Sequence, residues 1–150
     1  MFKVTTTKND NSLLNEVIIT NESLNLEVSI YPNLGATLQK LAKNGIEIID
    51  GITNDEAGLA LYKSKFNASF LFPSPNRIAN GKYTFNNVDY QLECNETALN
   101  NSLHGHIYNK AFKVSKTVAD KNRAEITFTY SNDGSVVGFP FSYELEIIYT

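Results

Sequence analysis

"NRIANGKYTFNNVDYQL", residues 76–92, spells out two short alternating runs joined by a pair of asparagines. Tyr83 and Phe85 alternate with polar neighbours, Asn86 and Asn87 follow, and Val88, Tyr90 and Leu92 alternate again. Side chains two apart share one face of a strand, and asparagine tolerates the positive φ that a two-residue type I′ turn needs, so the segment predicts a β-hairpin. "LQKLAKNGIEIIDG", residues 38–51, repeats the design around Asn44-Gly45, the strongest short hairpin signal.

Outward from these two hairpins the same period recurs. Leu24, Leu26, Val28 and Ile30 line one face of a predicted strand, as do Ile126, Phe128 and Tyr130, and residues 16–20, 112–118 and 143–149 are strand-like. Only "TNDEAGLALYKSKF", residues 53–66, predicts a helix, with Asn54 as N-cap and Asp55 and Glu56 in the first turn, where the helix dipole favours acid. With no repeat, low-complexity tract or linker, residues 1–150 read as one all-β domain. At this length folding removes roughly 70% of the unfolded chain's surface from water, which is enough for one core.

The 13 basic residues are scattered and the net charge is −3, so there is no footprint for nucleic acid or anionic lipid. No apolar run reaches membrane-spanning length and the N-terminus lacks a signal-peptide pattern, so a cytoplasmic protein without membrane contact is expected. Cys94 is alone, which excludes an internal disulfide, and reads as a buried structural thiol. Several of the 19 asparagines fall in Asn-x-Ser/Thr triplets, as chance provides in so Asn-rich a chain. "FSYELEIIYT", residues 141–150, stops within an alternating strand; such an open edge invites self-association or continuation in a longer protein.

Arg77 is one of two arginines and lies between Pro73, Pro75 and the Asn80-Gly81 turn. Those residues stiffen the loop that carries it. A planar five-donor fork beside the Asn76 carboxamide suits the hydroxyls of a polyol, because both groups make paired hydrogen bonds in fixed directions. The plain alternative is a surface ion pair. His104 and His106 flank Gly105; on a strand their rings would share a face, and the glycine would let a ligand or backbone approach. Two histidines without a fixed carboxylate motif fall short of a metal site, and no phosphate loop or nucleophile elbow is present, so neither metal nor cofactor is expected. The 8 tyrosines and 9 phenylalanines fall mostly on strand faces and read as core rather than as sugar-stacking platforms.

Taken in order, the Asn-Arg-Ile turn at 76–78, the Gly-x-Tyr-x-Phe strand at 81–85, the hairpin, the Tyr-x-Leu strand at 90–92, an asparagine, and Asn-Ser-Leu-His-Gly at 101–105 resemble the N-terminal signature of the aldose 1-epimerase (galactose mutarotase) family. Weaker agreement runs from "LEVSIYPNLGATLQKL" to "FSYELEIIYT". The resemblance implies an antiparallel β-sandwich of the galactose mutarotase-like type, of which residues 1–150 are the N-terminal part, incomplete at the C-terminus. It also implies a cofactor-free isomerase that interconverts the α and β anomers of an aldohexose such as galactose or glucose. A base takes the anomeric proton, an acid protonates the ring oxygen, and the opened chain rotates and closes on the other face. Asn76 and Arg77 would bind sugar hydroxyls and His104 would act beside the ring oxygen. His106 replaces a second glycine of many relatives and reads as a loop residue. The family's principal acid and base lie in later motifs, which Glu144 and Glu146 do not match, so they are expected beyond residue 150. The alternative is a non-catalytic carbohydrate-binding or oligomerising module.

Overall fold

The computed structural model describes residues 1–150. Its first sheet is antiparallel, in the order β1 (Lys3–Thr7), β2 (Glu16–Asn21), β3 (Leu26–Tyr31), β4 (Thr37–Lys43) and β5 (Ile46–Glu47). The β4–β5 connection is the expected hairpin, with Asn44 at φ 53° and Gly45 at φ 77°. Leu24 departs from its expected face. It sits in a 3₁₀ turn, Glu22–Leu24, closed by Asn25 at φ 49°, and is exposed. The alternation then breaks again at Ser29/Ile30, where a register shift buries Ser29, Ile30 and Tyr31 in succession, as a bulge that re-aims side chains does.

The single helix, α1 (Glu56–Lys65), follows the first sheet. Its N-cap is Asp55 and not Asn54: the Asp55 carboxylate accepts from the Gly58 N–H at 2.8 Å. The Asn54 amide is turned to the Leu14 carbonyl instead, tying the helix entry to the 3₁₀ turn, Ser12–Leu14, that joins β1 to β2. Leu59 and Tyr62 of α1 pack on Leu14, Tyr31, Leu34 and Ile52.

Beyond the helix come β6 (Arg77–Ala79), β7 (Lys82–Phe85), β8 (Val88–Gln91), β9 (Asn101–Leu103), β10 (Lys113–Ala119), β11 (Ala124–Asp133) and β12 (Ser142–Tyr149). Strands β7 and β8 form the second predicted hairpin, with Asn86 and Asn87 at φ 50° and 60° and the Tyr83 and Tyr90 rings stacked 5.0 Å apart. Strands β10, β11 and β12 form an antiparallel sheet with β12 at its edge, and β6 pairs with β9.

The two larger sheets share one core, in which Val17, Ile19 and Ile30 meet Ile126, Phe128 and Phe112. Ile126 and Phe128 point inward as their spacing predicts, with Tyr130 packed at the margin. The Tyr149 hydroxyl donates to the buried Ala36 carbonyl at 2.7 Å, joining β12 to the turn before β4. This is the expected all-β antiparallel architecture. Cys94 is half-buried, its thiol 3.7 Å from the Asn100 carbonyl.

Candidate functional site around Arg77 and His104

Arg77 opens β6 and does not lie in a loop. It is paired with Leu103, and the prolines lead into the strand while Asn80-Gly81 turns out of it, with the Gly81 N–H on the Ile78 carbonyl. Next to this pair the Asn76 carbonyl accepts from the His104 N–H at 3.2 Å. The β6–β9 ladder therefore brings Asn76, Arg77 and His104 together at one end of two short strands.

A side chain completes that ladder on its open side. Opposite Arg77, Leu103 turns its N–H and C=O away from β6, and the Asn95 carboxamide meets both: Oδ1 accepts from Leu103 N at 2.6 Å and Nδ2 donates to Leu103 O at 2.9 Å. Asn95 acts as a one-residue strand and also touches the Tyr108 hydroxyl at 3.3 Å. Its place in the sequence pattern between the Tyr-x-Leu and Leu-His-Gly pieces thus has a physical reason.

After Leu103 the strand ends abruptly. His104 has φ 66°, unusual for a residue with a side chain, and Gly105 has φ 68°. The close neighbour that Gly105 admits is backbone, since a Cβ there would lie 2.0 Å from the Phe72 carbonyl oxygen. The two left-handed residues send the histidines apart, so the rings do not share a face. His104 meets Phe66 edge to face at 4.7 Å, while His106 places Nε2 2.6 Å from the Tyr143 hydroxyl.

The His104 Nδ1 lies 3.0 Å from the Pro75 carbonyl oxygen. A carbonyl only accepts, so Nδ1 carries the proton and Nε2 is the free nitrogen. Neutral, that nitrogen accepts from a hydroxyl; as imidazolium it donates to an ether-type oxygen.

Arg77 is half-exposed and grips Glu96 in a forked pair, with Nε to Oε2 at 2.8 Å and Nη2 to Oε1 at 2.6 Å. Asn101 Nδ2 donates to the same carboxylate at 2.8 Å, and the Glu96 and Asn101 backbones bridge. The Arg77 hydrogen bond, then the Asn101 bond, hold the Glu96 carboxyl below the usual range, and the charge of His104 adds to this. Sequence reading assigned no role to Glu96, Asn95 or Phe66, although an asparagine at 95 belongs to the signature pattern. Glu96 lies 19 residues from Arg77, with no spacing rule to link them.

A cavity of about 870 Å³ lies elsewhere. Ser102, His106, Tyr108, Tyr130, Asn132 and Tyr143 help to line it, and Asn76, Arg77 and His104 do not. Because successive strand residues face opposite ways, Ser102 and Arg77's partner Leu103 look to different sides, so the cavity and the guanidinium occupy opposite faces of the β6–β9 pair. His106 lies in a loop, as expected, and there it is half-buried in the wall of this cavity. Burial, then the charge of Lys110, push its ring below the ordinary histidine range, while burial raises the Tyr143 hydroxyl well above its own. The bond between them is therefore Tyr143 O–H donating to a neutral imidazole.

Among solved structures, the fold resembles a galactose mutarotase-like protein of Clostridium acetobutylicum (TM-score 0.77, 21% identity, 99% of this chain, 44% of that one). It also resembles galactose 1-epimerase of Lactobacillus acidophilus NCFM (TM-score 0.70, 20% identity, 99% of this chain, 44% of that one). In sequence it is 29% identical over 117 residues to the uncharacterized protein YihR of Escherichia coli strain K12, covering 78% of this chain and 35% of that protein. The chain thus spans between a third and a half of these relatives' lengths. The family model described as aldose 1-epimerase matches residues 16–150, nearly the whole sequence, and the chain belongs to that family.

Proposed function

We propose that these residues supply one wall of an aldose 1-epimerase site, in which the α and β anomers of a free hexose such as galactose or glucose interconvert by acid-base ring opening. Arg77 and Asn76 bind sugar hydroxyls, and His104 Nε2 faces the ring oxygen, donating to it as the imidazolium. The principal acid and base come from sequence outside these 150 residues. The observation that carries the reading is that Arg77, pinned by Glu96, and His104, held by Nδ1 with Nε2 unengaged, are carried at the same end of the β6–β9 pair. Held groups lose little freedom when they bind, which is what positioning a pyranose requires.

Polarimetry of freshly dissolved α-D-galactose tests it. The gene product accelerates mutarotation, and Arg77→Ala or His104→Ala removes most of the acceleration, by about 10²-fold or more for the histidine. The 150 residues alone give little or no turnover but bind the sugar. Acceleration untouched by both substitutions refutes the assignment.

A second reading seats a polar ligand in the cavity on the other face, favoured by the His106–Tyr143 pair there. Under it, His106→Ala abolishes sugar binding while Arg77→Ala leaves it intact.

A further inference from the structure

We propose that Glu96 is the positioning residue for Arg77 and sets the charge of that site, so that the guanidinium meets uncharged hydroxyls and is closed to an anionic, phosphorylated ligand. This rests on the reading of the Arg77 side as the sugar site.

A guanidinium has five N–H donors. Glu96 takes the Nε–H and one Nη2–H, leaving the two on Nη1 and the second on Nη2. The free donors form an outward fork whose plane is fixed by the carboxylate behind it. That carboxylate is itself fixed, by Asn101 Nδ2 at 2.8 Å and by the backbone bridge between Glu96 and Asn101. Its side chain is 17% exposed against 49% for Arg77, so the acid is the seated partner and the arginine the presented one.

The pair also cancels charge. The only other arginine, Arg123, is engaged with Glu125 in another sheet. A phosphate monoester approaching Arg77 would meet its guanidinium with two donors taken and a carboxylate against it. The Nη1/Nη2 donors could still reach a phosphate, but without the net positive charge that makes such a fork grip an anion strongly. A neutral hydroxyl incurs no such repulsion, and three directed donors remain for it. Because Arg77 and Asn101 keep the Glu96 carboxyl below the ordinary range, this compensation is complete at neutral pH.

The experiment uses the full gene product and its Glu96→Gln and Arg77→Lys variants, with ¹⁵N NMR of the Arg77 Nε–H and titrations of inorganic phosphate, D-galactose 6-phosphate and D-galactose. Glu96→Gln is isosteric and half-exposed at its partner, so its amide spectrum remains that of the folded chain. In the native chain the Nε–H signal is shifted and slow to exchange with water; in Glu96→Gln it moves and exchanges faster. Glu96→Gln binds phosphate and the sugar phosphate about tenfold more tightly than the native chain, and galactose several-fold more weakly. Arg77→Lys keeps the charge but loses the fork and binds none of the three well. Equal phosphate affinity in the native chain and Glu96→Gln, or an Nε–H signal indifferent to the substitution, overturns the role of Glu96. If galactose moves no resonance in any form while the Nε–H and phosphate responses hold, Glu96 keeps its role and the sugar assignment falls.

Discussion

Removing the Asn95 carboxamide tests how the His104 end of the site is held. In Asn95→Ala, Leu103 loses the partners of both its N–H and its C=O, at 2.6 and 2.9 Å, and Leu103 itself is only 8% exposed. A typical intramolecular hydrogen bond contributes about 1 kcal/mol net, and an unsatisfied buried group costs about 1–3 kcal/mol. Asn95 lies at the surface, so water reaches part of the gap and the total falls near 2–3 kcal/mol. For a domain of this size that lowers Tm by roughly 5–10 °C. Urea melts followed by circular dichroism should show the midpoint falling with an unchanged slope. Asn95→Asp separates hydrogen bonding from volume. At neutral pH its carboxylate still accepts from Leu103 N but faces the Leu103 carbonyl with a second acceptor, so it is as unstable as the alanine variant. Protonation restores a donor. The folded-state pKa of that aspartate is raised, so its contribution is present below the unfolded value, about 3.9, and is lost as pH rises through the folded value. Relative to Asn95→Ala, Asn95→Asp should therefore gain stability on acidification. A loss below about 0.5 kcal/mol in Asn95→Ala, or a gap between the two variants that ignores pH, would refute the clamp.

Other outcomes follow from single contacts. Tyr149→Phe strands the buried Ala36 carbonyl and should cost about 1–2 kcal/mol in the same melts. Gly105→Ala combines a left-handed backbone, worth about 1–2 kcal/mol for a side-chain residue, with a Cβ 2.0 Å from the Phe72 carbonyl oxygen; it should destabilise by more than the strain alone and lower soluble yield. His106 is held neutral in the fold, so between its depressed folded pKa and the ordinary 6.5 the unfolded chain binds the extra proton. Stability should fall as pH drops below about 6.5, and His106→Asn should remove that part of the pH dependence; an unchanged profile would show that the ring is not held neutral.

Much of the fold was legible because its signals are local. Asn44-Gly45 and Asn86-Asn87 adopt positive φ with few steric penalties, so both hairpins are written in dipeptides, and the inward Ile126 and Phe128 follow from the period of a strand. Local reading failed where two neighbours competed or the period broke. Asp55 and Asn54 are both good caps, and the choice fell to Asp55 because Asn54 is engaged with Leu14, 40 residues away. Leu24 kept the apolar spacing of a strand, yet a left-handed Asn25 had already closed a turn.

An antiparallel β class and the two hairpins are written in the sequence, since each is carried by residues a few positions apart. Tertiary structure alone decided that His104 and His106 part company, that Asn95 stands in for a strand, and that Glu96 takes the Arg77 fork. The physical reason is common to all three. Each depends on a backbone φ or a partner fixed by chain packed from elsewhere, and nothing in local spacing encodes which distant group will be there.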